Sequence, residues 1–191
     1  MTSRKSALLG GALVAAAFAF SCGAYAAVTV IGAGPASLCY DGAENGGDPG
    51  QYITYCNEAL GGYLTVRDRA ATLINRGVLH LDLNDASAAL GDFDAGLGLD
   101  PDLGEGYIDR GASLIMKKEF AEALKSIDKG IGLGARRPAL AYFDRAIADE
   151  GLGDIPAAYK DYQQALVVQP DFTMASDELK RFKVVRKTTG G

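Results

Sequence analysis

The chain has 191 residues, of which 48% are hydrophobic and 23% are charged, and its formal net charge is −5. This length is sufficient for one domain with its own hydrophobic core. The excess of acids does not support nucleic-acid binding, which needs a concentrated basic face.

Residues 1–26 have the three-part pattern of a secretory signal peptide. Arg4 and Lys5 give a positive start, an uncharged apolar run follows over 7–20, and a small-x-small cleavage pattern ends at Ala26. The run is shorter than the roughly 20 apolar residues of a membrane span, and no later run approaches that length. We therefore expect cleavage after Ala26, export to the periplasm, and no membrane span.

A lipid anchor at Cys22 is the alternative to cleavage after Ala26. In that case the cysteine would carry an acyl chain. Phe20 lies two positions earlier and is bulky where a small residue is normally found. Cleavage after Ala26 is therefore favoured over acylation.

Cys39 and Cys56 remain after the predicted cleavage. In an oxidising compartment two remaining cysteines most often pair, and a disulfide closing such a loop contributes about 3 kcal/mol. Two cysteines and one distant histidine do not make a zinc site, so we expect no metal. Residues 27–50 are predicted to form an irregular N-terminal arm, which the disulfide fastens to a capping helix over 51–66.

Residues 28–37 look like the opening strand and glycine turn of a flavin-binding Rossmann domain. Ser37 stands where the third glycine of that motif belongs. The following stretch, 41–50, is rich in glycine and is not expected to hold the required helix. No second strand ending in an acidic residue follows. We therefore reject the motif and expect no cofactor.

A repeat with a period of roughly 34 residues follows. Each unit has a small residue in its first half, and an alanine and then a large apolar residue in its second half. One additional residue separates the second and third units, within the glycine-rich stretch 130–138. The recurring positions are Gly77, Gly111 and Ala146; Ala89, Ala123 and Ala158; Phe93, Ile127 and Tyr162; and the closing prolines Pro101 and Pro170.

This pattern resembles the tetratricopeptide-repeat (TPR) family, in which each unit is a pair of helices joined by a turn. The resemblance implies an all-α fold, a right-handed superhelical stack of helix-turn-helix units. The central unit lacks the closing proline. The expected segments are TPR 1 over 70–103, TPR 2 over 104–138, TPR 3 over 139–170, a C-terminal capping helix over 171–187 and a tail over 188–191.

The recurring small residues suggest helices that cross too closely for a larger side chain. The alanines of the second helices are expected to face them, with the large apolar residues filling the next space. His80 occupies a packing position in the same register. The recurring arginines Arg76, Arg110 and Arg145 are expected to pair with acids of the facing helix, the alternative being a basic ladder for an anionic partner.

The resemblance also implies a binding site, because TPR domains bind partners mainly in the concave groove lined by their first helices. In this register the lining is apolar, which predicts an apolar helix or extended segment as the ligand and not an acidic peptide tail. The protein's own C-terminal helix or N-terminal arm filling the groove is the alternative. The predicted lining residues are Ile74, Val78, Leu81, Ile108, Ala112, Ile115, Phe143 and Ile147.

No catalytic constellation is present in the sequence. His80 is the single histidine, and acids such as Asp92 and Asp94 belong to a recurring surface pattern. We therefore expect a non-enzymatic adaptor or scaffold that binds a protein or peptide partner. The alternative is an envelope-associated protein whose basic C-terminal helix contacts an anionic polymer or lipid. The bases of that helix are Lys180, Arg181, Lys183, Arg186 and Lys187.

Overall fold

A computed structural model describes residues 34–182, in which nine helices and no strand are found. The expected signal peptide, the lipid-anchor position and the tail lie outside these residues. In chain order the helices are α1 (Pro35–Asn45), α2 (Pro49–Gly61), α3 (Val66–Asp82), α4 (Ala86–Leu99), α5 (Gly104–Met116), α6 (Phe120–Gly132), α7 (Pro138–Leu152), α8 (Ile155–Val168) and α9 (Thr173–Leu179).

Consecutive helices pair as α1–α2, α3–α4, α5–α6 and α7–α8, and each pair stacks on the next. The second helix of one pair packs against the first helix of the following pair. First helices also contact each other, α1 with α3 and α5 with α7, while α9 packs against α8. The fold is therefore an all-α helical-repeat stack, as the sequence predicted. No helix in the described range is long and apolar enough to cross a membrane.

The small residues of the first helices allow the close packing that their recurrence suggested. A Cβ atom added to Gly77 would lie 2.6 Å from the Phe93 ring, and one added to Gly111 would lie 2.4 Å from Ile127. The large residue of the second helix therefore packs directly on the glycine. The expected alanine also lies close at Gly111, where the added Cβ atom would be 3.4 Å from the Ala123 carbonyl oxygen.

The N-terminal arm predicted over 27–50 is wrong for its described part, because residues 35–45 form the regular helix α1. Pro35 suits the first turn of a helix. A Cβ atom on Gly42 would lie 2.1 Å from the Tyr52 side chain, so this glycine lets α1 lie directly on α2. Tertiary packing outweighs the poor helix propensity of this stretch. The described part of the chain thus begins with a complete helix pair.

A disulfide joins the first two helices. The Sγ atoms of Cys39 in α1 and Cys56 in α2 lie 2.10 Å apart, and both residues are fully buried. Leu79 of α3 belongs to the same buried cluster. The bond therefore lies inside the core between the N-terminal pair and the first helix of the next pair.

The C-terminal helix is shorter than the one expected over 171–187. It ends at Leu179, and residues 180–182 are not helical. Phe182 packs against the rings of Tyr159 and Tyr162, with centroids 5.5 and 5.9 Å away. This contact between aromatic rings holds the chain against α8 after the helix ends.

Candidate functional site

A cleft of about 430 Å³ is enclosed by α1, α3, the start of α5 and the α6–α7 linker, residues 133–137. Its apolar part comes mainly from α3 and from Leu103. Charged side chains surround this apolar part. The apolar lining includes Ala43, Ala71, Ile74, Val78 and Leu103, and the charged lining is Glu44, Arg67, Asp102, Glu105, Asp109, Arg136 and Arg137.

Two of the eight residues predicted to line the groove, Ile74 and Val78, do line this cleft. The prediction is wrong for Ile108, which has no exposed surface. A Cβ atom on Gly130 would lie 2.5 Å from Ile108 Cδ1, so the side chain points at the second helix of its own unit. The other predicted residues are partly buried: Leu81, Ile115, Phe143 and Ile147 pack on the core clusters, and Ala112 is half-buried.

In α3, α5 and α7, a polar residue directly follows one of the predicted lining residues, Ile74, Ile108 or Phe143. These polar residues are Asn75 in α3, Asp109 in α5 and Asp144 in α7, which share one register in the three units. Asn75 and Asp109 line the cleft. One residue corresponds to about 100° around a helix, so a shift of one position exchanges the core side for the groove side. The recurrence of a polar residue at this position was the sequence signal that identifies the row.

Asp109 and Asp144 are both buried, each with 8% of its surface exposed. Arg137, from the α6–α7 linker, donates from Nη2 to Asp109 Oδ1 at 3.1 Å and from Nε to Glu105 Oε2 at 3.0 Å. Asp144 accepts no hydrogen bond from any of residues 34–182. The single guanidinium group of Arg137 is thus shared by two of the three acids.

Burial disfavours the charged form of both aspartates. It raises the pKa of Asp109 to about 6, against the attraction of Arg137 and with a smaller contribution from Glu105. It raises the pKa of Asp144 to about 7, and the charge of Asp109 adds to the effect. Asp109, which lines the cleft, and its neighbour Asp144 therefore form an acidic centre that Arg137 does not fully compensate.

The recurring arginines pair with acids of second helices, as the first interpretation expected. Arg76 binds Asp92 through two hydrogen bonds of 2.6 and 2.8 Å. His80 lies beside this pair, with Nε2 3.8 Å from Asp92 Oδ2. No free basic ladder is formed by these arginines. The pairs are Arg76 with Asp92, Arg110 with Asp94, and Arg145 with both Asp128 and Asp161.

The described part of the basic C-terminus is also paired. Lys180 Nζ lies 2.6 Å from Asp177 Oδ1, and Arg181 Nη2 lies 2.9 Å from Glu150 Oε1. Arg181 also contacts Glu178. The remaining bases of the predicted cluster, Lys183, Arg186 and Lys187, lie outside the described residues. Within those residues no group of three or more histidine, cysteine or acidic side chains is arranged to hold a metal.

No protein-family model and no curated protein matches this chain. Several solved structures do match it. The first TPR domain of human RPAP3 has 24% identity and a TM-score of 0.57, covering 60% of this chain and 90% of that one. MamA 41-end from Desulfovibrio magneticus RS-1 has 22% identity and a TM-score of 0.61, covering 76% and 81%. The Arabidopsis OM64 TPR domain has 20% identity and a TM-score of 0.58, covering 61% and 96%.

These likenesses show the fold. The chain has the tetratricopeptide-repeat fold, and the resemblance drawn from the repeat is confirmed.

Proposed function

We propose that this protein is a TPR interaction module that binds a peptide segment of a partner protein in the cleft between α1, α3 and α5. The cleft itself carries the proposal, because it combines an apolar surface with polar groups that can orient a peptide backbone. Two structures of similar fold support this class of ligand. The first TPR of Spaghetti (RPAP3) is bound to the HSP90 peptide SRMEEVD, and the second TPR domain of human RPAP3 is in complex with the HSP70 peptide SGPTIEEVD.

The lining of this cleft favours a different peptide chemistry. Ile74, Val78 and Leu103 offer a surface for one or two apolar side chains of an extended segment. The lining carries four acids and three arginines, so it offers a strongly acidic tail no net positive charge. We therefore propose a ligand with an apolar anchor, held in a groove that is only partly apolar. No residue set in the described chain supports a reaction, so the proposed role is that of an adaptor.

Helix α1 forms one wall of the cleft, and α9 packs on the last full pair. Within residues 34–182, the N-terminal segment therefore lines the groove and the C-terminal helix lies away from it, which supports a groove that a partner can enter.

Val78→Arg tests the proposal, because Val78 is half-buried and lines the cleft. We expect crosslinking in cells followed by mass spectrometry to recover partners with the parent protein and to lose them with Val78→Arg. Val167→Arg is the matched control, since Val167 lies on α8 outside the cleft and is 73% exposed. An unchanged partner list with Val78→Arg would contradict the proposal. Ile108→Arg is unsuitable, because a buried arginine there would unfold the domain.

We further propose that the protein is exported and that its signal peptide is removed after Ala26. The disulfide between Cys39 and Cys56 supports this proposal, because such bonds persist in oxidising compartments. Mass spectrometry of the protein purified from the expressing cell should find an N-terminus at Ala27 without an acyl group. A cysteine-linked lipid at Cys22 would favour the anchored alternative, and an intact N-terminus in the cytoplasm would contradict export.

A further inference from the structure

We propose that Asp109 and Asp144 form the part of the groove that binds a lysine or arginine side chain of the peptide. This inference rests on the proposed function and adds the charge that the ligand must carry. It concerns the concave row of Asn75, Asp109 and Asp144, which was not among the predicted binding residues.

The placement of the two carboxylates is the first observation. They occupy the same register on α5 and α7, which contact each other in the stack. Asp109 lines the cleft directly. Neighbouring first helices thus place Asp144 beside Asp109, so a basic side chain bound at Asp109 in the cleft would also lie near Asp144.

The missing partner of Asp144 is the second and independent observation. Asp144 as a residue is 8% exposed, and its carboxylate accepts no hydrogen bond from residues 34–182. Buried polar groups in folded proteins are nearly always paired, and an unpaired buried charge is costly. A donor from outside the chain would satisfy it.

The local charge count indicates that this donor is a cation. Glu105, Asp109 and Asp144 are three acids, and Arg137 is the one base that bonds to any of them. The Arg137 side chain is 53% exposed and divides its hydrogen bonds between Glu105 and Asp109. A second ammonium or guanidinium group would therefore complete the cluster. Its aliphatic stem would fit the apolar part of the same cleft, as the stems of lysine and arginine commonly do.

Two arginines of the cleft lining, Arg67 and Arg136, argue for a ligand of the opposite charge. Both are exposed on the lining, and their guanidinium groups make no hydrogen bond within residues 34–182. They would suit an acidic segment. The buried pair is favoured, because a charge interaction away from water is screened less than one at an exposed rim.

The test uses an array of random peptides of about nine residues, a length suited to an extended segment in such a groove. The peptides are N-acetylated and C-amidated, so that the only cations are side chains. We expect the peptides that bind the purified protein to share a lysine or arginine. Replacing that residue by glutamine should raise the dissociation constant by about tenfold or more.

Asp144→Asn and Asp109→Asn should each produce a similar loss, with unchanged helical content by circular dichroism. Asp177→Asn is the control, because it removes the same charge from exposed α9. Bound peptides without a common base, or binding that is unaffected by Asp144→Asn, would overturn this inference and leave the proposed function standing. An array with no binder would overturn both.

Discussion

At the scale of single residues, Asp144 makes the stability of this protein depend on pH. Its pKa of about 7 in the folded state lies above the ordinary value of 3.8. Between these values the folded protein holds a proton that the unfolded chain has released. The stabilising contribution of this group is therefore complete below about pH 4 and is lost as the pH rises to about 7. Asp109 and Arg137 are the charged groups that act on it, the first raising its pKa and the second lowering it.

Asp144→Asn should remove this dependence. Asparagine keeps the shape of the side chain without the buried charge, so the free energy of unfolding should rise at pH 8 by on the order of 2 kcal/mol. At about pH 4.5, where the folded wild type is largely protonated, the change should be small. Urea unfolding at the two pH values measures the difference. An equal effect at both would show that the carboxyl group does not titrate as described.

The contrast between Ile108 and Asp109 shows how far residue roles follow from the sequence. The repeat identified which helices form the groove, and a typical TPR register placed Ile108 in its lining. In the structure Ile108 packs against Gly130, which leaves room for it, and Asp109 takes the groove position. Whether a glycine lies opposite an isoleucine depends on how the helices pack. Helical periodicity alone therefore does not decide which of two neighbouring positions faces the groove.

At the scale of helices, the three units differ in the cap of their second helix. Asp85 is the N-cap residue of α4, and its side chain accepts a hydrogen bond from the Ala88 amide. Asp154 is the N-cap residue of α8, and its side chain accepts one from the Ala157 amide. Glu119 holds the equivalent place before α6, and its side chain makes no capping bond. The longer side chain does not match the preferred capping geometry.

Glu119→Asp should therefore stabilise the protein by about 1 kcal/mol, because it supplies the missing cap of α6. The reverse change at an equivalent position, Asp154→Glu, should lower stability by a similar amount. Thermal and urea unfolding of both variants measure the effect. A destabilising Glu119→Asp would mean that the contact between Lys117 and Glu119, at 3.3 Å, matters more than the cap.

Helix α1 is the element that the sequence failed to predict. The glycine-rich stretch 41–50, which overlaps its C-terminal half, argued for irregular structure, and on propensity alone that conclusion is sound. The helix forms because Gly42 lies under Tyr52 and Cys39 is bonded to Cys56. Both contacts involve residues of α2, so a reading of α1 by itself does not reveal them. The three central pairs, in contrast, could be predicted because each confirms the register of the others.

At the scale of the whole molecule, the stability of each helix pair depends mainly on the pairs next to it in the stack. Each pair of helices contacts only its neighbours, so a change at one end need not spread to the other. The disulfide lies in the first pair, and that pair supplies the α1 wall of the cleft.

Reducing the bond between Cys39 and Cys56 should therefore loosen α1 and α2 first. Hydrogen exchange should show loss of protection in these two helices and retained protection in α7 and α8. Stability should fall by about 2 to 4 kcal/mol, the usual contribution of a native disulfide. A Cys39→Ser, Cys56→Ser variant serves as the non-reducible comparison. Uniform loss of protection along the chain would show that the stack unfolds as one unit.

The α6–α7 linker, residues 133–137, is one residue longer than the α4–α5 linker, residues 100–103. Arg137 stands at its end and bonds to Glu105 and Asp109, and no equivalent guanidinium contact is made from the shorter linker within the described residues. The inserted residue thus breaks the symmetry of the repeat at a single place. Although the scaffold recurs along the chain, the chemistry of the groove occurs once, and each chain should bind its peptide with a stoichiometry of one to one.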